Sequence, residues 1–292
     1  MKLASFRPAA GEPTLLGVVD GDELIGVSQS ESNLPSDVGA LLAGGKPALE
    51  AVKNAISSAP RFALRDAELL SPIARPPKIL AVGLNYKDHI AEAGLDTPSV
   101  PMIFNKQSTS VTGPHAPIHR PRASDKLDYE GEFAFVIGQR CRHVPRERAA
   151  EVIAGYCVVN DVSVRDWQMR SPTFTMGKSW DTHCPLGPWI TTADEIEDPH
   201  ALQLRTTVNG ELRQNSNTRH LLFDCYALVE HLSTAFTLEP GDVIPTGTPG
   251  GIGAAMKPRQ YLKAGDRVRV EIEGLGVLDN PVIEEPENTP LY

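Results

Sequence analysis

No apolar run in the 292-residue chain approaches the roughly 20 residues that cross a bilayer as a helix. The longest, around residues 79–84 and 133–137, suit strands. Residues 1–13 carry one lysine, Lys2, with no apolar stretch behind it, so no secretory leader is read there. The expectation is a soluble, unexported, cytoplasmic protein with no membrane partner. Positive charge is also scarce. Lys and Arg number 28 against 37 Asp and Glu, a net charge of −9, which disfavours nucleic acid or an anionic membrane as partner. A small anionic substrate stays open wherever cations gather locally. The four cysteines, Cys141, Cys157, Cys184 and Cys225, form no C-x-x-C pair. Neither a zinc knuckle nor a disulfide framework is indicated, and structural thiols in a reducing compartment are expected. Repeats and low-complexity tracts are absent, and 41% hydrophobic with 22% charged residues is an ordinary globular balance.

What is present divides in two. Residues 15–19, the turn Asp20-Gly21-Asp22 and residues 23–27 read as a β-hairpin. Apolar residues at Val38, Leu41, Leu42, Leu49, Val52 and Ile56 then recur at helical spacing, broken by Gly44-Gly45 and Pro47, so two short helices are expected. The prolines at 72, 76 and 77 close this segment. Residues 1–72 are therefore expected to form a small α+β N-terminal domain, and 73–292 a second, mostly β domain. In the latter, strand-like runs fall at 79–82, 132–137, 157–159, 189–192, 204–208, 211–214, 243–246 and 267–272. Asn209-Gly210 marks a hairpin turn. Helices are expected at 87–93, 146–152 and 221–236, and an exposed tail at 284–290.

Several segments could carry chemistry. In Asp128-Tyr129-Glu130-Gly131-Glu132, ahead of an apolar run, Glu130 and Glu132 share one strand face. Carboxylates held that close repel unless a cation or proton intervenes, although solvent-facing glutamates on an edge strand would look the same. Asp161 ends a second apolar run, 157–160, and a third carboxylate suits Mg²⁺ or Mn²⁺ better than Zn²⁺. Arg165, Gln168 and Lys178 follow; each cation could bind a carboxylate or enolate, or simply pair with Asp166 or with water. His89 and Glu92 lie three apart on a short helix ended by Gly94, either as a surface ion pair or as a general base with its orienting carboxylate. Thr246-Gly247-Thr248-Pro249-Gly250-Gly251 could bring backbone amides near an anion, yet it lacks the ending of a nucleotide P-loop. A Cys184–His183 nucleophile is conceivable from adjacency alone, with no third orienting group in view.

In order, Gly83-Leu84-Asn85-Tyr86 with His89 and Glu92, the Asp128–Glu132 motif, Gly155-Tyr156, Asn160-Asp161 through Arg165-Asp166, Gly177-Lys178-Ser179, Leu186-Gly187-Pro188-Trp189, Val208-Asn209-Gly210-Glu211, Pro240-Gly241-Asp242 and Thr246-Gly247-Thr248-Pro249 resemble the fumarylacetoacetate hydrolase family. The resemblance spans about residues 78–282 and implies a mixed β-roll or barrel-like C-terminal domain, with the whole chain α+β, mostly β, and paired as a homodimer. It implies Glu130, Glu132 and Asp161 as ligands of Mg²⁺ or Mn²⁺, and His89 with Glu92 as a water-activating dyad on a lid segment. Lys178 is implied as a catalytic, substrate-polarising lysine, with Arg165, Gln168 and Thr248 as substrate contacts. The expected activity is cleavage of the C–C bond of a 2,4-dioxo acid of the acylpyruvate type, giving pyruvate and a carboxylic acid. The alternative on the same scaffold is a decarboxylase or keto–enol isomerase of an unsaturated 2-oxo diacid or oxaloacetate. A non-catalytic ligand-binding protein is the rival from another class.

Overall fold

The computed structural model describes residues 1–31, 33–94 and 96–287. A large mixed sheet runs, from one edge to the other, through Arg61–Ala63, Glu23–Ile25, Leu15–Asp20, Lys2–Arg7, Cys184–Thr192, Ile153–Asn160, Gly131–Ile137, Val243–Pro245, Ile79–Gly83 and Met102–Lys106. A second sheet orders Glu211–Asn217, Gln203–Val208, Arg267–Ile272, Gly276–Glu284 and Ile118–Arg120. Among the described residues no sheet closes on itself, and the architecture is the mostly β, α+β fold expected. Among the described residues no helix is long and apolar enough to cross a membrane.

The central strands explain themselves by period-2 burial. Along Gly131–Ile137, Phe133, Phe135 and Ile137 enter one apolar cluster, while Ala134 and Val136 enter another on the opposite face. The neighbouring strand repeats the pattern, with Tyr156 and Val158 on the first side and Cys157 and Val159 on the second. A sheet covered on both faces needs apolar residues at every position, which is why these runs look continuous rather than alternating. At Gly131 a side chain has no room: a Cβ would lie 2.2 Å from the Thr206 hydroxyl of the second sheet.

The expected division at residue 72 is spanned by main-chain pairing. Lys2 and Leu3 pair antiparallel with Thr191 and Ile190, so the N-terminal strands continue the central sheet. Val38, Leu41, Leu42 and Val52 share an apolar cluster with Ala134, Val159 and Leu186. Helices form at Val38–Ala43 and Gly45–Ala55, Pro47 falling in the first turn of the latter, where its missing N–H has no helical partner to lose.

Three expectations shift. Residues 146–152 wind as a 3₁₀-helix. The helix expected from 221 begins at Cys225, because the Asp224 carboxylate accepts from the amides of Tyr226 (3.1 Å) and Ala227 (2.9 Å) and caps it. Glu284 ends the strand Gly276–Glu284 instead of opening a tail; residues 288–290 of that tail lie outside the described residues. The Asn209-Gly210 turn is as expected, with φ of 53° and 81°.

Candidate active site

The two central strands deliver the carboxylates. Glu130 and Glu132 straddle the start of Gly131–Ile137, and Asp161 follows the end of Ile153–Asn160, its amide donating to the Glu130 carbonyl at 2.8 Å. Antiparallel pairing of these strands therefore brings all three together, fully or almost fully buried, with one oxygen from each within 4.8 Å of the others.

Each carboxylate has at least one oxygen fastened by the protein. Arg165 Nη1 donates to Glu130 Oε1 at 2.5 Å, Lys106 Nζ to Asp161 Oδ1 at 2.6 Å, and the Gly247 amide to Glu132 Oε2 at 2.8 Å. Lys178 Nζ spans the other oxygens of Glu130 and Asp161, at 2.7 Å each. Burial works against the Glu130 charge, but Lys178 and Arg165 outweigh it and hold its carboxyl down at about 2. Glu132 goes the other way: burial, then the neighbouring charges of Asp161 and Glu130, push its carboxyl well above the ordinary range. A buried all-oxygen set of this kind, with Glu132 short of positive charge, fits a hard divalent cation such as Mg²⁺ or Mn²⁺.

A second layer orients the cations. Asp128, fully buried, accepts from Gly253 (2.9 Å) and Ala254 (2.9 Å) amides and from Arg165 Nε (2.8 Å). Arg165 thus bridges Asp128 and Glu130 rather than pairing with Asp166, whose carboxylate accepts from the Ser124 hydroxyl at 2.6 Å. Arg165 Nη2 is buried and has no hydrogen-bond partner among the described residues. Gln214 reads the motif from the second sheet: its carbonyl accepts from the Gly131 amide at 3.0 Å and its amide donates to Thr248 Oγ1 at 2.7 Å. The Thr248 hydroxyl in turn donates to the Gly131 carbonyl at 3.0 Å.

His89 and Glu92 sit on the helix Lys87–Ala93, closed by Gly94 in the left-handed region (φ +64°). His89 Nδ1 lies 3.5 Å from Glu92 Oε2, long for a hydrogen bond. Burial raises the Glu92 carboxyl, yet His89 and the Gly251 amide prevail and lower it. Buried Asn85 anchors the approach to this helix: its side chain donates to the carbonyls of Phe223 and Thr246 and accepts from the Phe223 amide.

One cavity of about 230 Å³ gathers Glu130, Glu132, Arg165, Gln168, Lys178, Thr248 and His89 along its lining. Asp161 stands behind it, joined through Lys178. The lining also has an apolar part, with Leu84, Met102, Phe104, Met169 and Phe174. Sequence reasoning assigned no role to Lys106, Gln214 or these apolar residues, and quoted Asp128 only as part of a motif. The Cys184–His183 pair does not form a nucleophile: burial pushes the thiol up to about 12, and His183 is turned to the His119 carbonyl, 2.8 Å from Nε2.

Comparison with known proteins bears on the family and the fold. The model of the fumarylacetoacetate hydrolase C-terminal domain matches residues 78–283. A mitochondrial oxaloacetate tautomerase of Xenopus laevis is 42% identical over 288 residues, covering 97% of this chain and 90% of that protein. Among solved structures, a fumarylacetoacetate hydrolase from Exiguobacterium antarcticum superposes with a TM-score of 0.86 at 37% identity, over 98% of this chain and 100% of that one. A maleylpyruvate hydrolase from Sphingobium sp. SYK-6, in complex with manganese(II) and pyruvate, gives 0.82 at 32% identity with the same coverage. With its expected fold and seventy per cent of its length matched, the chain belongs to the fumarylacetoacetate hydrolase family.

Proposed function

We propose that this chain is a keto–enol tautomerase of a small 2-oxo diacid, with oxaloacetate as reference substrate, acting with Mg²⁺ or Mn²⁺. The observation that carries the proposal is one small cavity lined by Glu130, Glu132, Arg165 and Lys178, with Asp161 joined to it through Lys178. The similarity to an oxaloacetate tautomerase over nearly the whole chain supports it.

A divalent ion held by Glu130, Glu132 and Asp161 would supply Lewis acidity at the 2-oxo group and offset enolate charge. Arg165 offers its unpaired Nη2 to a substrate carboxylate, a bond that also satisfies a buried donor. The Lys178 ammonium, fixed by Glu130 and Asp161, faces negative charge as it develops on the oxygen at C2. His89, with Nδ1 toward Glu92, exchanges a proton with substrate C3 through Nε2. In the enol-to-keto direction C3 gains a proton and the enol hydroxyl loses one; no bond between heavy atoms changes and no water is consumed.

The His89–Glu92 pair favours one second reading, because the same dyad can activate water for C–C cleavage of an acylpyruvate. The maleylpyruvate hydrolase similarity supports that reading. Proton NMR of metal-reconstituted enzyme in deuterated water separates them. Rapid metal-dependent enol–keto interconversion of oxaloacetate, lost in His89→Ala and without stoichiometric pyruvate, is expected. Pyruvate with one equivalent of the matching acid from an acylpyruvate would establish hydrolysis instead, and pyruvate with CO₂ from oxaloacetate would establish decarboxylation. Silence with every substrate would leave a binding protein.

A further inference from the structure

We propose that Lys106 is the positioning residue that fixes Asp161 and Lys178 together, so that the acidic triad binds a divalent cation tightly. This rests on the metal-centre reading above. Lys106 ends the strand Met102–Lys106 at the edge of the central sheet, paired with Ile79, and its side chain is 0% exposed. A lysine buried to that degree is rare unless its charge is matched.

The ammonium carries three hydrogens and meets three acceptors: Asp161 Oδ1 at 2.6 Å, the Val162 carbonyl at 3.4 Å and the Lys178 carbonyl. All three protons are taken, so Lys106 has none left for substrate, and it is absent from the cavity lining. Its role is exerted through others. By holding Oδ1 it leaves Oδ2 of Asp161 to Lys178; by holding the Lys178 carbonyl it sets the backbone from which the Lys178 side chain reaches both carboxylates. One cation therefore positions a ligand and its neighbouring lysine at once. Outer partners of metal-binding carboxylates typically change metal affinity ten- to a hundredfold when removed.

The test is calorimetric titration of Mn²⁺ into metal-stripped full-length protein, comparing wild type with Lys106→Met, Lys106→Gln and Lys78→Met. Lys78 pairs at 2.8 Å with buried Asp242, outside the cavity, so its variant likewise leaves a buried carboxylate without its lysine. A loss of Mn²⁺ affinity of about tenfold or more in Lys106→Met is expected, with Lys106→Gln intermediate and Lys78→Met within twofold of wild type. Folded Lys106→Met with wild-type affinity would overturn the assignment. If Lys106→Met does not fold, Lys106→Gln carries the same comparison, and failure of both to fold beside a folded Lys78→Met would make Lys106 a purely structural residue. Wild-type protein that binds no divalent ion would overturn the metal-centre reading and this inference with it, whereas wild-type binding with unchanged variants overturns this inference alone.

Discussion

The Glu92 carboxylate accepts from the Gly251 amide, at 3.0 Å to Oε1 and 3.2 Å to Oε2, so the helix that carries His89 is tied to a loop 159 residues further along the chain. Gly251 has φ +101°, and a Cβ there would lie 2.0 Å from the Arg213 carbonyl oxygen. Any side chain must therefore displace the loop and draw its amide from Glu92. Gly251→Ala is expected to lower kcat by about tenfold through loss of base orientation, with Mn²⁺ affinity unchanged because the triad is untouched. Steady-state kinetics beside metal titration checks this, and an unchanged kcat would show that Glu92 is held well enough without Gly251.

Arg165 spans two carboxylates that no other cation in its position could serve alike. Its Nε reaches Asp128 and its Nη1 reaches Glu130, a fork fixed by the planar guanidinium. Arg165→Met leaves Glu130 Oε1 unpaired and strips the cation from buried Asp128, whose Oδ2 keeps the Ala254 amide alone, and a stability loss of roughly 3–5 kcal/mol is expected from breaking such pairs. Arg165→Lys keeps the charge but reaches only one partner, so it should recover part of the stability and little of the substrate affinity. Urea unfolding and KM for oxaloacetate read the two effects separately. Equal recovery of both in Arg165→Lys would mean that charge alone, and not the fork, is what the site uses.

Much of this site was legible because its residues are local punctuation on strands. Glu130 and Glu132 stand before an apolar run, and Asp161 ends another, so a sheet that pairs the two runs must bring the three acids together. Lys106 was not legible. Nothing in Phe104-Asn105-Lys106 distinguishes a buried lysine from the exposed end of an edge strand, because its acceptors come from residues 161, 162 and 178. Gln214 was hidden for the same reason: its partners lie 83 and 34 residues away, across a packing of two sheets. The helix start at Cys225 was readable in principle from Asp224, a strong capping residue, but apolar periodicity through Leu222 pointed further upstream. Leu222 is instead pinned by its amide to the Asn85 carbonyl at 2.7 Å.

His183 makes a pH-dependent contribution to stability. The residue is fully buried, and burial lowers its pKa from 6.5 to about 3. Below pH 6.5 the unfolded chain takes up a proton that the folded one refuses, so the contribution is complete above 6.5 and is lost as pH falls toward 3. At pH 5 the expected loss relative to pH 7 is about 2 kcal/mol, from the unfolded-state protonation at 1.36 kcal/mol per pH unit. His183→Gln keeps an N–H for the His119 carbonyl and cannot titrate. Urea unfolding at pH 7 and pH 5 should therefore show a smaller drop in the variant by that amount. Parallel drops would place the proton uptake elsewhere.

The N-terminal segment is expected to be part of the catalytic fold's stability rather than an appendage. Lys2 and Leu3 pair with Thr191 and Ile190, and the Met1 ammonium donates to Thr192 Oγ1 at 2.6 Å while pairing with Glu195 at 3.0 Å. Removing residues 1–72 would uncover the edge of the strand Cys184–Thr192 and the apolar side chains of Leu186 and Ile190, which pack with Val38 and Leu41. An open edge beside exposed apolar surface invites association with other chains. The 73–292 fragment should therefore aggregate or melt well below the full chain, and residues 1–72 supplied in trans should restore solubility. Light scattering and thermal denaturation decide the matter: a monodisperse fragment with the full-length Tm would show two independent domains meeting at residue 72, despite the main-chain pairing across it.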